Sequence, residues 1–177
     1  HGLKQHNDGR LMIPLLDASL SIVGLQYIDD GGGKMFLTGS KKKGSFFILG
    51  QDLLQGAHTI NYCEGYATAA SYYQDMKQPV VVSFDAYNLA PVAEVIFKHF
   101  AEAKHVFIAD FDDNATGEKE AIKAAQVVKS GGGQAEGAGA GHHQHGDREL
   151  QRQGKGRAGR RPDDPGIGRQ GCQGPAA

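Results

Sequence analysis

From residue 58 onward, the sequence alternates short apolar runs with segments that have the period of an α-helix. We predict three strands and three helices, in the order strand 59–63, helix 66–76, strand 80–84, helix 89–102, strand 105–109 and helix 117–129. The middle helix carries one apolar stripe, made of Leu89, Val92, Ala93, Ile96, Phe97 and Phe100. Strands that alternate with helices of this length form βαβ units around a parallel sheet, so the sequence predicts an α/β fold.

Residues 10–50 have a different pattern, in which four short apolar runs are separated by turn-forming residues. The runs are 11–16, 22–28, 35–37 and 46–49. Short runs separated by stretches rich in glycine, aspartate and lysine are typical of an antiparallel meander. We therefore predict a small antiparallel β subdomain at 1–57, followed by a parallel-sheet domain at 58–130.

The composition changes after Ser130. Glycine, alanine, glutamine and arginine dominate the rest of the chain, whose only large aliphatic residues are Leu150 and Ile167. Such a segment buries too little apolar surface to offset the entropy of ordering its backbone, about 1–2 kcal/mol per residue. We predict a Gly-rich, irregular tail at 131–177, which is either disordered or the product of a shift in reading frame near Gly131.

The cysteines and the apolar runs limit the class of protein. Cys63 and Cys172 lie far apart in different surroundings, so the sequence has no disulfide framework and no four-ligand zinc site. No apolar run approaches the roughly 20 residues that span a bilayer, and no signal peptide is visible. We expect a cytoplasmic protein without a membrane partner. Because the sequence begins with His1 and not with Met, we also expect it to be a piece of a longer protein.

Acidic residues follow two of the predicted strands at the point where each strand ends. Glu64 and Gly65 follow the strand at 59–63, and Asp110 and Asp112 follow the strand at 105–109. Because open α/β folds bind their ligands at the carboxyl edge of the sheet, we expect these three carboxylates to meet there. No basic residue stands beside them in the sequence, so they would repel one another without a cation. Oxygen ligands of this kind suit a hard divalent cation such as Mg²⁺, which makes phosphate chemistry the leading hypothesis.

The spacing of the aspartates fits two-metal phosphoryl transfer. Alternate residues of an extended backbone point to the same side, so Asp110 and Asp112 can share a cation. Two metal ions about 4 Å apart stabilise both the attacking and the leaving oxygen of such a reaction. Glu64 either completes the metal shell or acts as a general base, and the sequence does not separate these roles.

Three other interpretations of the Asp-x-Asp motif compete with this one. Strand-end acidic residues are often ordinary loop residues. A calcium loop would use Asp110, Asp112 and Asn114, but Ala115 and Ala121 stand where it needs glycine and glutamate. A phosphatase of the haloacid-dehalogenase type carries its Asp-x-Asp after the first strand of the sheet, whereas two predicted parallel strands precede the motif here.

The order and spacing of these motifs resemble a Toprim domain, the metal-binding module of bacterial-type primases, type IA and type II topoisomerases and some nucleases. Three segments carry a wider match to the Toprim region of plasmid- and phage-borne primases and primase-helicases: 63–69 (CEGYATA), 84–89 (FDAYNL) and 110–117 (DFDDNATG). With the preceding β-structure included, the resemblance covers residues 10–129.

The resemblance implies a Rossmann-like Toprim sheet flanked by helices, dependence on Mg²⁺ or Mn²⁺, and synthesis of RNA primers. Glu64, Asp110 and Asp112 match the metal and catalytic positions, and Asp85 is a further candidate metal ligand. The implied partners are a single-stranded DNA template, nucleoside triphosphates, and a replicative or fused helicase. The sequence departs from the family at Thr68, where chromosomal primases usually carry an aspartate, and in its Gly-rich tail, which replaces an expected further strand. A Toprim nuclease or topoisomerase fragment and an inactive nucleic-acid-binding module are the alternatives.

A run of three lysines, Lys41, Lys42 and Lys43, stands in the predicted meander just before Gly44. Affinity for nucleic acid comes largely from neutralised phosphates, so this run is a candidate contact for the template or the incoming nucleotide. A solvated turn without such a role has the same composition. Both interpretations are open from the sequence alone.

Overall fold

Two β-sheets form the framework of the protein, whose computed structural model describes residues 3–109 and 115–139. The first sheet is antiparallel, with its four strands in sequence order: β1 (Lys4–Gln5), β2 (Leu11–Leu16), β3 (Ile22–Ile28) and β4 (Lys34–Phe36). The strands of the second sheet are β5 (Phe47–Leu49), β6 (Thr59–Cys63), β7 (Val80–Val82), β8 (Lys104–Ala109) and β9 (Gln134–Gly139). Three helices connect its parallel strands: α1 (Tyr66–Met76), α2 (Leu89–Phe97) and α3 (Thr116–Ser130).

The second sheet has the strand order β5-β7-β6-β8-β9. β6 lies at its centre and pairs in parallel with β7 on one side and with β8 on the other. β9 pairs in parallel with β8, and β5 closes the opposite edge antiparallel to β7. The carboxyl ends of β6, β7 and β8 therefore lie along one edge of the sheet.

Side chains alternate between two apolar cores, one on each face of the second sheet. Ile60, Val81 and Phe107 face the core that contains α2 and α3. Their neighbours Cys63, Val80, Val82, Val106 and Ile108 face the other core, which α1 and the antiparallel sheet cover. The central strands are thus apolar on both faces, as expected of strands covered by helices and by a second layer.

The predicted α/β fold is confirmed, with its parallel sheet flanked by helices and antiparallel β-structure before it. The predicted helices and strands from residue 59 onward recur within a few residues, except that α2 ends at Phe97, before the predicted end at 102. In the described part of the chain, no helix is both long and apolar enough to cross a membrane.

The prediction that 46–49 belongs to the antiparallel meander is wrong for the strand itself. Phe47–Leu49 is β5 of the second sheet and pairs with β7, while Phe46 alone bridges back to Leu16 of β2. The reason is burial, since Phe47, Ile48 and Leu49 are all at least 96% buried. Such a strand needs a cover on both faces, and a strand of the second sheet lies between the two apolar cores.

The predicted tail also begins too early, because β9 continues the sheet to Gly139. The glycines that suggested disorder have a structural role before this strand. A Cβ on Gly131 or Gly133 would lie 2.4 or 2.3 Å from the ring of Phe97, and Gly132 has a φ of +88°. Only glycine fits this turn without displacing the ring. Predictions for the remaining tail, 140–177, lie outside the described residues.

One buried polar pair stands inside the core beside α2 and α3. The Tyr62 hydroxyl lies 2.7 Å from Nδ1 of His105, and Nε2 of His105 lies 3.0 Å from the carbonyl oxygen of Phe100. In the neutral tautomer that satisfies all three groups, Tyr62 donates to Nδ1 and Nε2 donates to the carbonyl. Burial lowers the pKa of His105 below its ordinary value of 6.5, against a smaller, opposite effect of the Phe100 carbonyl.

We predict that the free energy of unfolding decreases as the pH falls below about 6.5. A His pKa that is lower in the folded state means that the unfolded chain binds the proton more readily. The contribution of His105 is therefore fully present above its unfolded pKa and is lost as the pH falls toward the folded pKa. Urea unfolding of His105→Gln between pH 7.5 and pH 5 should show a shallower pH dependence than the wild type. The exposed His58, changed to Gln, is the control and should keep the wild-type slope; an unchanged slope in His105→Gln would contradict the assignment.

Candidate functional site

Glu64 stands at the carboxyl edge of the central strand. It directly follows Cys63, the last residue of β6, and is half-buried. Gly65 comes next in an extended conformation and is the N-cap of α1, whose first turn closes with the Ala69 N–H donating to the Gly65 carbonyl at 3.1 Å. The chain therefore turns sharply above the end of β6 and holds Glu64 at the edge where β7 and β8 also end.

Asp85 follows the neighbouring strand at the same edge. The backbone N–H of Ser83 donates to the Cys63 carbonyl at 2.9 Å, which extends the pairing of β7 with β6 to the edge itself. Phe84 then has a φ of +70°, a rare conformation for a bulky residue. Its ring is buried and meets Phe36 of β4 edge to face, with centroids 6.1 Å apart. This packing supports the unusual backbone that presents Asp85.

The two predicted aspartates, Asp110 and Asp112, lie outside the described residues. The strand before them, β8, ends beside β6, because its Ile108 pairs with Cys63 of β6 and Ala109 is its last residue. The chain thus reaches position 110 from the edge that carries Glu64. Within residues 3–109 and 115–139, no three His, Cys, Asp or Glu side chains form a group able to hold a metal ion. The clustering of the three carboxylates stays a prediction.

The lysine run forms a tight turn against this edge. We call Lys41–Ser45 the lysine turn; it is closed by the Ser45 N–H donating to the Lys42 carbonyl at 3.0 Å, with Gly44 at a φ of +72°. The ammonium group of Lys42 forms an ion pair with Asp85. It also lies 5.6 Å from the centroid of the Phe36 ring. The side chains of Lys42 and Asp85 are 44% and 27% exposed, so the pair remains accessible to an incoming anion.

Asn88 fastens the backbone of the lysine turn to the sheet edge. It lies in a short 3-10 turn between β7 and α2 and is 3% exposed. Its Oδ1 accepts from the Gly44 N–H at 2.7 Å. Its Nδ2 lies 3.0, 2.9 and 2.7 Å from the carbonyl oxygens of Lys42, Ser45 and Ser83. One buried amide therefore joins three positions of the lysine turn to the end of β7.

A second lysine, Lys34, reaches the turn after β6. It was not predicted as a site residue from the sequence. A Cβ built on Gly65 would lie 3.4 Å from the Lys34 ammonium nitrogen, so this exposed side chain of β4 extends over the residue that follows Glu64. The sequence does carry a signal for the position of Lys34, because the side chains of a strand alternate between its faces. Lys34 therefore lies on the same face as the inward-packed Phe36. That signal has meaning only once the antiparallel sheet is known to cover the carboxyl edge.

The electrostatics of the edge differ from the expectation. No basic residue stands beside Glu64 in sequence, yet the antiparallel sheet brings Lys34 over Gly65 and the lysine turn brings Lys42 to Asp85. Asp85, predicted as a further metal ligand, is engaged by Lys42 through Oδ2 and by the Asn88 N–H through Oδ1, the latter at 3.1 Å. A metal ion would have to compete with both partners for this carboxylate. Lys41 and Lys43 belong to the same turn as Lys42.

The chain is similar to parts of several known proteins. No family model matches it. A DNA primase TraC of Escherichia coli is 36% identical over 129 residues, a match that covers 70% of this chain. The chain is therefore similar to one part of a DNA primase. That part corresponds to 12% of the length of TraC, so the chain spans a small part of that relative.

Solved primase structures share the fold of this chain. The primase fragment of the bacteriophage T7 primase-helicase superposes with a TM-score of 0.60 at 23% identity, covering 85% of this chain and 65% of the other. A DnaG primase catalytic domain bound to single-stranded DNA superposes with a TM-score of 0.54 at 17% identity, covering 77% of this chain and 49% of the other. At these identities the superpositions show the fold of this chain and no more.

We predict that Asn88 contributes more to stability than the Lys42–Asp85 ion pair. Asn88→Ala should lower the free energy of unfolding by about 2–3 kcal/mol, because it leaves a buried N–H and buried carbonyls of the lysine turn without partners. Lys42→Ala should lower it by less than about 1 kcal/mol, because a solvent-accessible ion pair gains little. Urea denaturation of the two variants at neutral pH measures both values. Equal losses would show that the amide is not the main attachment of the turn.

Proposed function

We propose that this domain is the Toprim catalytic core of a DNA primase, which synthesises RNA primers on single-stranded DNA by metal-dependent nucleotidyl transfer. The observation that carries the proposal is the composition of the carboxyl edge. Glu64 stands beside the strand that leads to Asp110 and Asp112, and Lys34 and Lys42 reach the same edge from another part of the chain. Carboxylates for a cation and lysines for phosphates are the two requirements of this chemistry.

Glu64, Asp110 and Asp112 are the residues that would hold Mg²⁺ or Mn²⁺. Glu64 fits this role, because it is a half-buried carboxylate directly after the central strand β6, which lies between β7 and β8. When bound, such an ion stabilises the negative charge that develops during transfer of a nucleotidyl group. Glu64 would hold the ion close to Lys34, since it directly precedes Gly65, over which the Lys34 side chain extends. We assign Asp85 to a different task, the orientation of Lys42.

Lys34 and the lysine turn are the proposed phosphate contacts. Lys42 has an accessible ammonium group at the edge, and Lys41 and Lys43 flank it. Phosphates of a nucleoside triphosphate or of the template would be neutralised there. Since the fold neighbours include a primase-helicase and a primase bound to single-stranded DNA, we propose the same kinds of partner here: a DNA strand, nucleotides and a helicase. These substrates meet in the cytoplasm, which is the compartment we propose.

We predict that Glu64→Gln lowers primer synthesis by about 100-fold or more, because it removes a charged metal ligand while keeping the shape of the side chain. The assay measures incorporation of ribonucleotides on single-stranded DNA with Mg²⁺ and with Mn²⁺. Asp110→Asn should behave in the same way. Glu102→Gln is the matched control, since this exposed glutamate precedes β8 and lies toward the opposite edge of the sheet.

The outcomes of this experiment separate three functions. Synthesis that depends on Glu64 and Asp110, and is unaffected in Glu102→Gln, supports the primase. Metal-dependent cleavage of DNA without synthesis supports a Toprim nuclease. DNA binding that persists equally in Glu64→Gln and Asp110→Asn, with no chemistry in any variant, supports an inactive binding module and contradicts the proposal.

We also predict that Lys34 and Lys42 contribute to the salt dependence of binding to single-stranded DNA. Removing one phosphate contact should reduce the slope of log K against log salt by about 0.7 for a single strand. Lys34→Ala and Lys42→Ala should each show such a reduction in fluorescence anisotropy titrations. Lys98→Ala, at the end of α2, is a matched control and should keep the wild-type slope. Equal slopes in all four proteins would exclude these lysines as phosphate contacts.

A further inference from the structure

The lysine turn depends on a single buried side chain for its position. Among the described residues, the side-chain amide of Asn88 makes four hydrogen-bond contacts, three with the lysine turn and the fourth with Ser83, beyond β7. Within the turn, Ser45 Oγ donates to the Lys41 carbonyl at 2.6 Å. One long-range backbone bond, from the Lys41 N–H to the Val23 carbonyl at 3.1 Å, ties its first residue to β3.

Asn88 also reaches the charged end of the turn. Its backbone N–H donates to Oδ1 of Asp85 at 3.1 Å, and the other oxygen of Asp85 holds the Lys42 ammonium. The same 3-10 turn therefore fixes the backbone of Lys42 through the Asn88 amide and the tip of Lys42 through Asp85. A lysine side chain loses substantial rotamer freedom when it is held in one place, so a prior restraint lowers the entropy lost on binding an anion.

We propose that Asn88 is a positioning residue for phosphate binding. It holds the lysine turn so that the Lys42 ammonium stands at the carboxylate edge, with Asp85 as the counter-ion that orients Lys42. The inference rests on the proposed function, since it assigns the turn to the phosphates of a nucleoside triphosphate or of the DNA strand. Asn88 touches neither reactant and acts through Lys42.

The test compares Asn88→Ala with Asn61→Ala in the full chain. Asn61 is a matched control, because it is an equally buried asparagine, 1% exposed, whose Nδ2 lies 3.1 Å from Gln78 and 3.3 Å from the Pro79 carbonyl, toward the amino end of β7. Both variants should lose stability. In Asn88→Ala alone, hydrogen exchange at the amides of the lysine turn should become faster by about tenfold or more, the range expected when a local restraint is removed.

Two binding measurements then distinguish the source of the phosphate. If the turn contacts the nucleotide, Asn88→Ala should raise the KM for nucleoside triphosphates about fivefold or more and leave kcat within about twofold, the pattern of lost uniform binding. If it contacts the template, the dissociation constant for single-stranded DNA should rise instead and its salt slope should fall. Either result supports the inference, and Asn61→Ala should show neither.

A double variant shows whether Asn88 acts through the lysine. In a Lys42→Ala background, Asn88→Ala should have little further effect on phosphate binding, since the group it positions is already absent. An effect as large as in the wild-type background would overturn the inference. Unchanged exchange of the lysine turn in Asn88→Ala would also overturn it, whatever the activity.

These readouts separate failure of the inference from failure of the proposed function. If the wild type makes no primers, the exchange measurement and the affinity for inorganic tripolyphosphate still test Asn88. Tripolyphosphate binding that weakens in Asn88→Ala supports the inference, and unchanged binding contradicts it. If Asn88→Ala does not fold, Ser45→Ala loosens the same turn from the other side by removing the Oγ contact, and it should shift exchange and affinity in the same direction.

Discussion

The parallel pairing of β6 with β7 and β8 is the constraint on which the site depends. It brings the ends of three strands to one edge, with Cys63 opposite both Val82 and Ile108. Residues 21 positions apart in sequence therefore continue from neighbouring points, Glu64 after β6 and Asp85 after β7. The energy for this arrangement comes from burial of both faces of the sheet, since the side chains of Ile60, Val81 and Phe107 are fully excluded from solvent.

The antiparallel sheet adds the positive charge that the parallel sheet lacks. It covers one face of the second sheet and extends over the carboxyl edge, where β4 supplies Lys34 and the chain after it supplies Lys42. The contact between Phe36 and Phe84 joins the two sheets at this point and supports a backbone conformation that a phenylalanine rarely adopts. Strain of this kind is maintained only where the surroundings over-determine it, which is common at functional sites.

The parallel sheet and its helices could be predicted from the sequence, because the apolar periods of 59–63, 80–84 and 89–97 are strong local signals. The sheet to which β5 belongs could not be predicted, since a short apolar strand fits either sheet. The need to cover both faces of this strand decides which sheet it joins. β9 was hidden for a related reason: its residues are small, and the glycines before it indicate a turn beneath Phe97 only when that ring is in place.

The site divides in the same way. Glu64 was proposed as a site residue from its position after a strand, and its role, which the resemblance to primases implies, stays a prediction. The lysine run was visible, but its placement depends on Asn88, which in the sequence is an ordinary residue before a helix. Lys34 gave no signal by itself, because its distance from Gly65 is set by the packing of one sheet on another. Local patterns thus indicate the carboxylates, and tertiary packing supplies the lysines.

The central claim is that Glu64 and the aspartates after β8 form one divalent metal site. Anomalous diffraction from crystals soaked in Mn²⁺ tests it most directly, because the ion is located independently of any activity. The account predicts a manganese peak at the carboxyl edge, within about 2–2.3 Å of an oxygen of Glu64 and of Asp110 or Asp112, as hard-cation coordination requires. A structure in which manganese is absent from this edge, or in which Glu64 is directed away from both aspartates, would contradict it.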